Sequence, residues 1–169
     1  MKIVFAVGMA VLAMTPMARA AQPVACNVTI DITDTDPLGT NVRAAPGGAV
    51  ATTLKNSSED GWIEVHVTGQ SGDWFRIDGA TLIAPNADDK AIFSGAGYLH
   101  KSVVGVSGFE NGAPIYADHD TRSRAVDPAA AGDQAVDVLG CWGDFLKVHV
   151  EKGTGWTQRP CTNMVTTCS

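Results

Sequence analysis

The chain has 169 residues, with 12 Lys and Arg against 18 Asp and Glu and a formal net charge of −6 at pH 7. An acidic chain repels polyanions, which excludes nucleic acid as an expected partner, because such binding depends on Lys and Arg neutralising phosphates. The 18 glycines and 8 prolines, together with many Val and Thr, predict an all-β chain of short strands joined by tight turns.

The N-terminal segment predicts export. Lys2 gives a basic start, residues 3–13 form an apolar run, and Ala18-Arg19-Ala20 supplies small residues around a cleavable bond, as in a secretory signal peptide. The apolar run is shorter than the roughly 20 residues that a membrane span needs. We expect residues 1–20 to be removed near Ala20, leaving 10 basic against 18 acidic residues, a formal charge of −8. The mature chain is expected to be periplasmic or secreted, with no transmembrane segment.

An internal repeat follows. Residues 71–77 align with residues 141–148 when their Gly-Asp-aromatic sequences are superposed, and residues 97–101 align with 155–159, each Gly-aromatic with a basic residue downstream. The first alignment has an offset of 71 residues and the second an offset of 58, so the first repeat holds 13 additional residues. Their Gly, Pro, Asn and Asp content predicts a lengthened hairpin loop near residues 78–94.

Alternation along the strands predicts which side chains are buried, because successive residues of a strand point to opposite faces. The predicted core positions are Ile63, Val65, Val67, Phe75, Ile77, Leu146, Val148 and Val150. The opposite faces then carry Trp62, Trp74 and Phe145 outward. A turn-rich segment at 105–112 predicts a short linker, with one repeat over 23–106 and the other over 107–169.

The first repeat resembles the bacterial SH3 family. The sequence Thr-Asn-Val-Arg-Ala-Ala-Pro-Gly at 40–47 is similar to the L-N-V-R-x-x-P-G opening of these domains. Residues 50–54, 71–77 and 97–102 follow in the order of the family's later strands, with Tyr98 in place of the closing Trp.

The second repeat is a looser match that lacks the Asn-Val-Arg signature. Its corresponding segments are 113–116, 135–139, 143–148 and 155–156. The resemblance implies two tandem, small, SH3-like, partly open β-barrels with shallow aromatic grooves. The groove residues it implies are Trp74 and Phe145, with Trp62, Tyr98, Trp142 and Trp156 as neighbours.

Four cysteines, Cys26, Cys141, Cys161 and Cys168, are expected to form disulfides in an oxidising compartment. No pair of C-x-x-C motifs is present, which argues against a zinc site. Whether Cys26 carries a lipid stays open. The SH3-like resemblance favours Cys141 with Cys161, leaving Cys26 with Cys168. The competing pairing is Cys161 with Cys168 and Cys26 with Cys141.

The sequence offers no catalytic constellation, no cofactor motif and no metal-ligand spacing. The histidines lack an H-E-x-x-H or H-x-H arrangement, and the acidic segments 31–36 and 118–120 lack the alternating ligands of a calcium loop. Bacterial SH3 domains commonly bind cell-wall peptides or accompany wall hydrolases. We therefore expect a non-catalytic exported protein that recognises peptidoglycan or its peptides. The alternative is a periplasmic inhibitor, immunity protein or adaptor whose acidic surface captures a basic partner.

Overall fold

The structure is a computed structural model that describes residues 22–55, 61–110, 112–165, 167 and 168, so the predicted signal peptide lies outside the described residues. The described residues are all-β, with one 3₁₀ turn at Lys101–Val103. None of them forms a helix long and apolar enough to cross a membrane. The strands are β1 (Val24–Ile32), β2 (Thr40–Arg43), β3 (Val50–Leu54), β4 (Trp62–Ser71), β5 (Trp74–Ile83), β6 (Lys90–His100), β7 (Val104–Val106), β8 (Gly108–Phe109), β9 (Ile115–Tyr116), β10 (Ala125–Asp127), β11 (Val136–Trp142), β12 (Phe145–Val150), β13 (Gly153–Thr157) and β14 (Pro160–Cys161).

Twelve of these strands form one sheet in the order β10-β9-β13-β12-β11-β7-β1-β4-β5-β6-β2-β3. The order is symmetric about its centre, where β1 and β7 pair antiparallel. Reading outward, the first half runs β1-β4-β5-β6-β2-β3 and the second runs β7-β11-β12-β13-β9-β10. The internal repeat of the sequence is therefore a repeat of strand order, although the sheet is open at β3 and β10 and does not close into a barrel.

The core is the one that strand alternation predicts. All eight predicted positions are buried, and Phe75, Ile77, Leu146 and Val148 have no accessible surface. Because a slip of one residue would have exposed the whole set, the register read from the sequence is confirmed in both halves.

The structure places strand where a lengthened loop was expected. Most of the interval 78–94 belongs to β5 and β6, and only residues 84–89 connect them. Ala80 and Leu82 continue the buried alternation begun by Phe75, so the additional residues lengthen the hairpin itself. A register shift accommodates Gly79 within the hairpin, whereas the other residues typical of turns lie in the connection 84–89.

The segment predicted as a linker is instead packed in the molecule. β7 lies at the centre of the sheet, and β8 pairs with β14. Val106 and Phe109 are buried. A Cβ atom built on Gly108 would lie 1.8 Å from the carbonyl oxygen of Gly132, so this glycine permits close packing of two backbones rather than an open connection.

The disulfides join Cys26 to Cys141 and Cys161 to Cys168, with Cα atoms 5.8 Å apart in each pair. The favoured pairing, Cys141 with Cys161 and Cys26 with Cys168, is therefore wrong, and the competing pairing is confirmed. A register irregularity in β1 brings Cys26 against the β11–β12 hairpin, whereas β14 carries Cys161 away to pair with β8. Two disulfides are typical of proteins from an oxidising, extracellular or periplasmic environment.

Candidate functional site

Two equivalent turns set the position of the outward aromatics. The β4–β5 and β11–β12 hairpins each turn through Gly-Asp, with Gly72 at φ 58° and Gly143 at φ 53°. Positive φ at the first central residue alone is the pattern of a type II′ turn, which suits the twist of a two-residue hairpin. Trp74 and Phe145 consequently begin β5 and β12 at the same structural position.

The first half carries an outward row of aromatic and basic side chains. Arg76 lies opposite Tyr98, and Tyr98 lies opposite Arg43, so the three share one face across β5, β6 and β2. Trp74 is two residues from Arg76 on the same face and lies opposite His100. We call these five residues the first face.

Contacts within the first face hold a cation over an aromatic ring. The guanidinium carbon of Arg43 lies 5.9 Å from the centre of the Trp74 ring, and Arg43 Nη1 donates a hydrogen bond to the carbonyl of Gly48 at 2.7 Å. The ring of His100 packs edge-on against Trp74, with centroids 5.1 Å apart. Trp74 therefore sits in a fixed setting between a guanidinium group and an imidazole.

The second half repeats this row. Lys147 lies opposite Trp156, and Trp156 lies opposite Tyr116. These pairs occupy the places that Arg76, Tyr98 and Arg43 occupy in the first half. On the same face, Trp142 lies opposite Phe145 at the turn. We define the second face by Tyr116, His119, Trp142, Phe145, Lys147 and Trp156.

His119 joins the aromatic rings of the second face. Its ring centroid lies 4.6 Å from that of Trp142 and 5.3 Å from that of Trp156. Asp118 Oδ1 lies 2.6 Å from His119 Nδ1, at ion-pair distance but without hydrogen-bond geometry, and accepts the backbone N–H of His119 at 2.8 Å. Lys147 Nζ lies 5.6 Å from the centre of the Trp156 ring. A charged or polar group therefore flanks each tryptophan ring.

Trp142 is the most open aromatic of the second face, with half of its surface (50%) accessible. Its neighbour Cys141 is tied to Cys26 by a disulfide. On the other side, the N–H of Gly143 donates to the carbonyl of Ala25 at 2.9 Å, and the carbonyl of Gly143 accepts from the N–H of Asn27 at 2.8 Å. An exposed tryptophan is thus held on a cross-linked backbone.

A shallow depression lies beside this tryptophan. It has a volume of about 440 Å³ and is lined by residues 22–25 together with Trp142 and Gly143. A flat ring beside a concave, mainly apolar strip can cover one face of a sugar or a short peptide.

Five of the six aromatics predicted for a groove lie on the two faces, and Trp62 lies elsewhere. Trp62 begins β4, whereas the β4–β5 turn follows Ser71 at the other end of that strand. Nine residues of strand separate these ends by about 30 Å. The indole N–H of Trp62 donates to Glu64 Oε1 at 3.2 Å, so this tryptophan has its own polar partner.

The charges near the faces differ from the charge of the whole chain. Arg43, Arg76 and Lys147 point outward in a chain with a net charge of −6. Near the first face, Lys101 Nζ lies 2.8 Å from Asp73 Oδ1, and this hydrogen bond lowers the pKa of Asp73. Within the described ranges, no group of three or more His, Cys, Asp or Glu is placed to hold a metal ion. The faces suit a ligand that offers apolar rings or chains together with carboxylates.

The sequence analysis did not assign the basic members and the two histidines of the faces to a groove, although strand alternation already turns Arg76 and Lys147 outward. A signal for them exists, because the repeat includes an apolar, basic, apolar triplet after each Gly-Asp-aromatic turn, which places Arg76 and Lys147 at equivalent positions. Arg43 and His119 come from other segments. Only the cross-strand register and the ring contacts show that they belong to the faces.

Comparison of the chain with protein-family models, with curated proteins and with solved structures finds no match. The resemblance to bacterial SH3 domains remains a prediction from the motifs of the first repeat. Function is therefore inferred from the two faces themselves.

Proposed function

We propose that this protein is a non-catalytic, exported binding protein of the bacterial envelope that recognises peptidoglycan through its first and second faces. The observation that carries the proposal is the recurrence of one outward aromatic and basic row at equivalent positions of both halves. A buried core requires Phe75 and Leu146 at these strands, but it does not require an outward Arg76 or Lys147.

The chemistry of the faces fits this polymer. The apolar faces of sugar rings stack on aromatic side chains, and the carboxylates of the stem peptides form charge-assisted hydrogen bonds with Arg and Lys. The acidity of the whole chain argues against attraction to a wall rich in carboxylates. Arg43, Arg76 and Lys147 answer that objection, because they place positive charge where the ligand would lie.

The second face is the stronger of the two candidates. Trp142 is exposed in the unbound protein, and its backbone is fixed by a disulfide and two hydrogen bonds. A rigid aromatic loses little conformational entropy when it binds, so more of the contact energy contributes to affinity. Trp74 lies under Arg43 and has less free surface to offer.

The test is co-sedimentation of the oxidised mature protein with purified peptidoglycan sacculi at low and moderate salt. We expect Trp142→Ala to weaken binding by about tenfold or more and Trp74→Ala to weaken it less. Trp62→Ala is the matched control, because it removes the same ring about 30 Å from the β4–β5 turn. It is expected to bind as the wild type does.

Two results would contradict the proposal. One is a wild-type protein that stays in the supernatant at low salt. The other is an equal loss of binding in the Trp62→Ala and Trp142→Ala variants, which would show that the faces are not the site. Competition by soluble stem peptides then separates carboxylate pairing from ring stacking, since Lys147→Ala should lower the affinity for these peptides.

A further inference from the structure

A further surface lies at the C-terminal end of β1, whereas the second face lies near the N-terminal end of this strand. The depression beside Trp142 is lined by Val24 and Ala25, at the start of the strand. Ile32 ends the strand, and beyond it Thr33 enters a turn that faces the loop closed by Cys161 and Cys168. Eight residues of strand separate these ends by about 25 Å. A ligand at one end leaves the other end free.

Large apolar side chains are exposed near the C-terminal end of β1. The accessible fraction is 51% for Met164, 52% for Val165 and 72% for Leu38. These are three of the five exposed large hydrophobic residues in the described part of the chain. Such a concentration on one end of a small protein is typical of an interaction surface.

The loop that presents Met164 and Val165 is anchored at both ends. Thr162 Oγ1 donates to Glu64 Oε1 at 2.8 Å, and the N–H of Cys168 donates to Asp133 Oδ1 at 2.8 Å. The N–H of Val165 donates to the side chain of Asn163 at 3.0 Å. With the disulfide, these bonds hold the two apolar side chains in place before any partner arrives, which reduces the entropy lost on binding.

Met164 forms a ridge between two clefts. On one side it lines a cleft of about 400 Å³ together with residues 33–37 and Trp62. On the other side it lines a cleft of about 680 Å³ together with Val106 and Val165. A ridge with a recess on either side offers a partner both a projection to receive and space for its own side chains.

The clefts are bordered by carboxylates. Asp34 and Asp36 line the first cleft, where Lys55 is the one basic residue among the described lining residues, and Asp133 lines the second. Thr40 Oγ1 donates to Asp34 Oδ2 at 3.0 Å, and the N–H of Leu38 donates to Asp36 Oδ1 at 2.8 Å, so the turn fixes both carboxylates. None of the three forms an ion pair with another described residue.

We propose that the Met164–Val165 ridge, its two clefts and the carboxylates of Asp34, Asp36 and Asp133 form a docking surface for a basic protein. Such a partner presents Lys or Arg side chains around an apolar recess. These carboxylates, which have no ion-pair partner among the described residues, favour a cationic surface, and the acidic net charge of the chain accelerates the approach of one. A second copy of this chain and an anionic lipid surface carry the wrong charge for this site.

The experiment is an NMR titration of the labelled mature protein with lysozyme as the basic probe, at about 20 mM and about 300 mM salt. We expect chemical-shift changes at residues 34–38 and 163–165 that weaken strongly at the higher salt. No change at either segment at low salt, or changes confined to the first and second faces, would overturn the proposal.

Variants separate the electrostatic contribution to lysozyme binding from the apolar contribution. Asp34→Asn with Asp36→Asn is expected to weaken lysozyme binding about fivefold at low salt and to flatten its salt dependence. Asp73→Asn with Asp144→Asn is the matched control, because it removes the same charge from the two Gly-Asp turns, which lie at the opposite end of the sheet from the two clefts. Equal weakening in both double variants would overturn the proposal, since only net charge would then matter.

Met164→Ala with Val165→Ala is expected to weaken binding while leaving the salt dependence intact. The same variant is expected to sediment with sacculi as the wild type does. A loss of lysozyme binding without a loss of sacculus binding thus distinguishes this surface from the two faces. Thermal unfolding of each variant verifies that it is folded.

Discussion

The two halves of the sheet share one strand order but differ in the length of their outer hairpins and in their cross-links. β6 has 11 residues and its counterpart β13 has 5. Three of the four cysteines belong to the second half, and the first half contributes only Cys26. The parts that both halves keep are the Gly-Asp turn, the buried alternation and the outward row. Hairpin length and cross-linking are therefore free to vary on a scaffold that continues to present the same outward row.

The halves are held together at two separate places. Near the end of β1, Asp31 and Ile32 pair with β7. Near its start, the Cys26–Cys141 disulfide and the side chain of Gln70 tie β1 and β4 to β11, with Gln70 Oε1 accepting the N–H of Cys141 at 2.9 Å. The second disulfide closes a loop within one half. The two cross-links therefore have different expected effects on stability.

The largest expected effect is that of removing the disulfide between the halves. Cys26→Ser with Cys141→Ser should lower the free energy of unfolding by about 5 kcal/mol, because this bond closes a loop of 115 residues. Cys161→Ser with Cys168→Ser, which opens a loop of 7 residues, should lower it by about 2.5 kcal/mol. Chemical denaturation of the two double variants and the wild type measures both values.

The order of these two losses is the informative part. An equal or greater loss on opening the short loop would show that the C-terminal segment, rather than the contact between the halves, limits stability. Sacculus binding adds a second comparison, since loss of the Cys26–Cys141 bond should loosen Trp142 and weaken binding even where the protein remains folded.

Much of the fold was predictable because strand burial is a local property. The alternation around Phe75 and Leu146 fixes which face is buried, and the repeated Gly-Asp turn fixes where each strand begins. The choice between the two disulfide pairings was not predictable, since it depends on a register irregularity between Ala25 and Val28 that has no clear sequence signal. The central position of β7 was hidden because glycines at close backbone contacts look like turn residues.

The candidate site was predictable in part. Outward aromatics such as Trp74 and Trp156 follow from alternation once the repeat is aligned. Their neighbours Arg43 and His119 do not, because strands that are distant in sequence bring them there. The ridge at Met164 could not be predicted for a similar reason. The exposure of a short segment between two cysteines depends on which distant residues pack against it.

The next largest expected effect is a pH dependence of the free energy of unfolding that arises from Asp31, at the contact between β1 and β7. Burial raises the pKa of Asp31 from 3.8 to about 7; the hydrogen bond from Ser107 opposes this rise and the charge of Glu64 adds to it. Between these two pH values the folded state keeps a proton that the unfolded state releases. Stability should therefore fall as pH rises from about 4 to about 7, by up to about 1.4 kcal/mol per pH unit.

Asp31→Asn removes this titration, so its stability should vary less with pH over the same interval. Asp137→Asn is the matched control, because it removes an exposed carboxylate from β11 and should keep the wild-type slope. Urea unfolding at four pH values from 4 to 8 provides the slopes. A wild-type slope identical to that of Asp31→Asn would show that Asp31 is ionised throughout this interval and that the contact between the halves tolerates its charge.

The smallest expected effect is that of replacing the glycine of each Gly-Asp turn, which allows the two turns to be compared directly. Gly72→Ala and Gly143→Ala each force an L side chain to a positive φ, at 58° and 53° respectively, and a Cβ atom at either position has no neighbour within 4 Å. Strain alone should therefore cost about 2 kcal/mol in each variant, because the first central position of a type II′ turn strongly favours glycine, and the two midpoints of thermal unfolding should shift alike. Gly143 differs in having backbone hydrogen bonds to Ala25 and Asn27 across the halves. A larger loss of stability in Gly143→Ala than in Gly72→Ala would show that the turn and the contact between the halves are coupled. The Gly143→Ala variant should then also bind sacculi more weakly, because Trp142 immediately precedes Gly143.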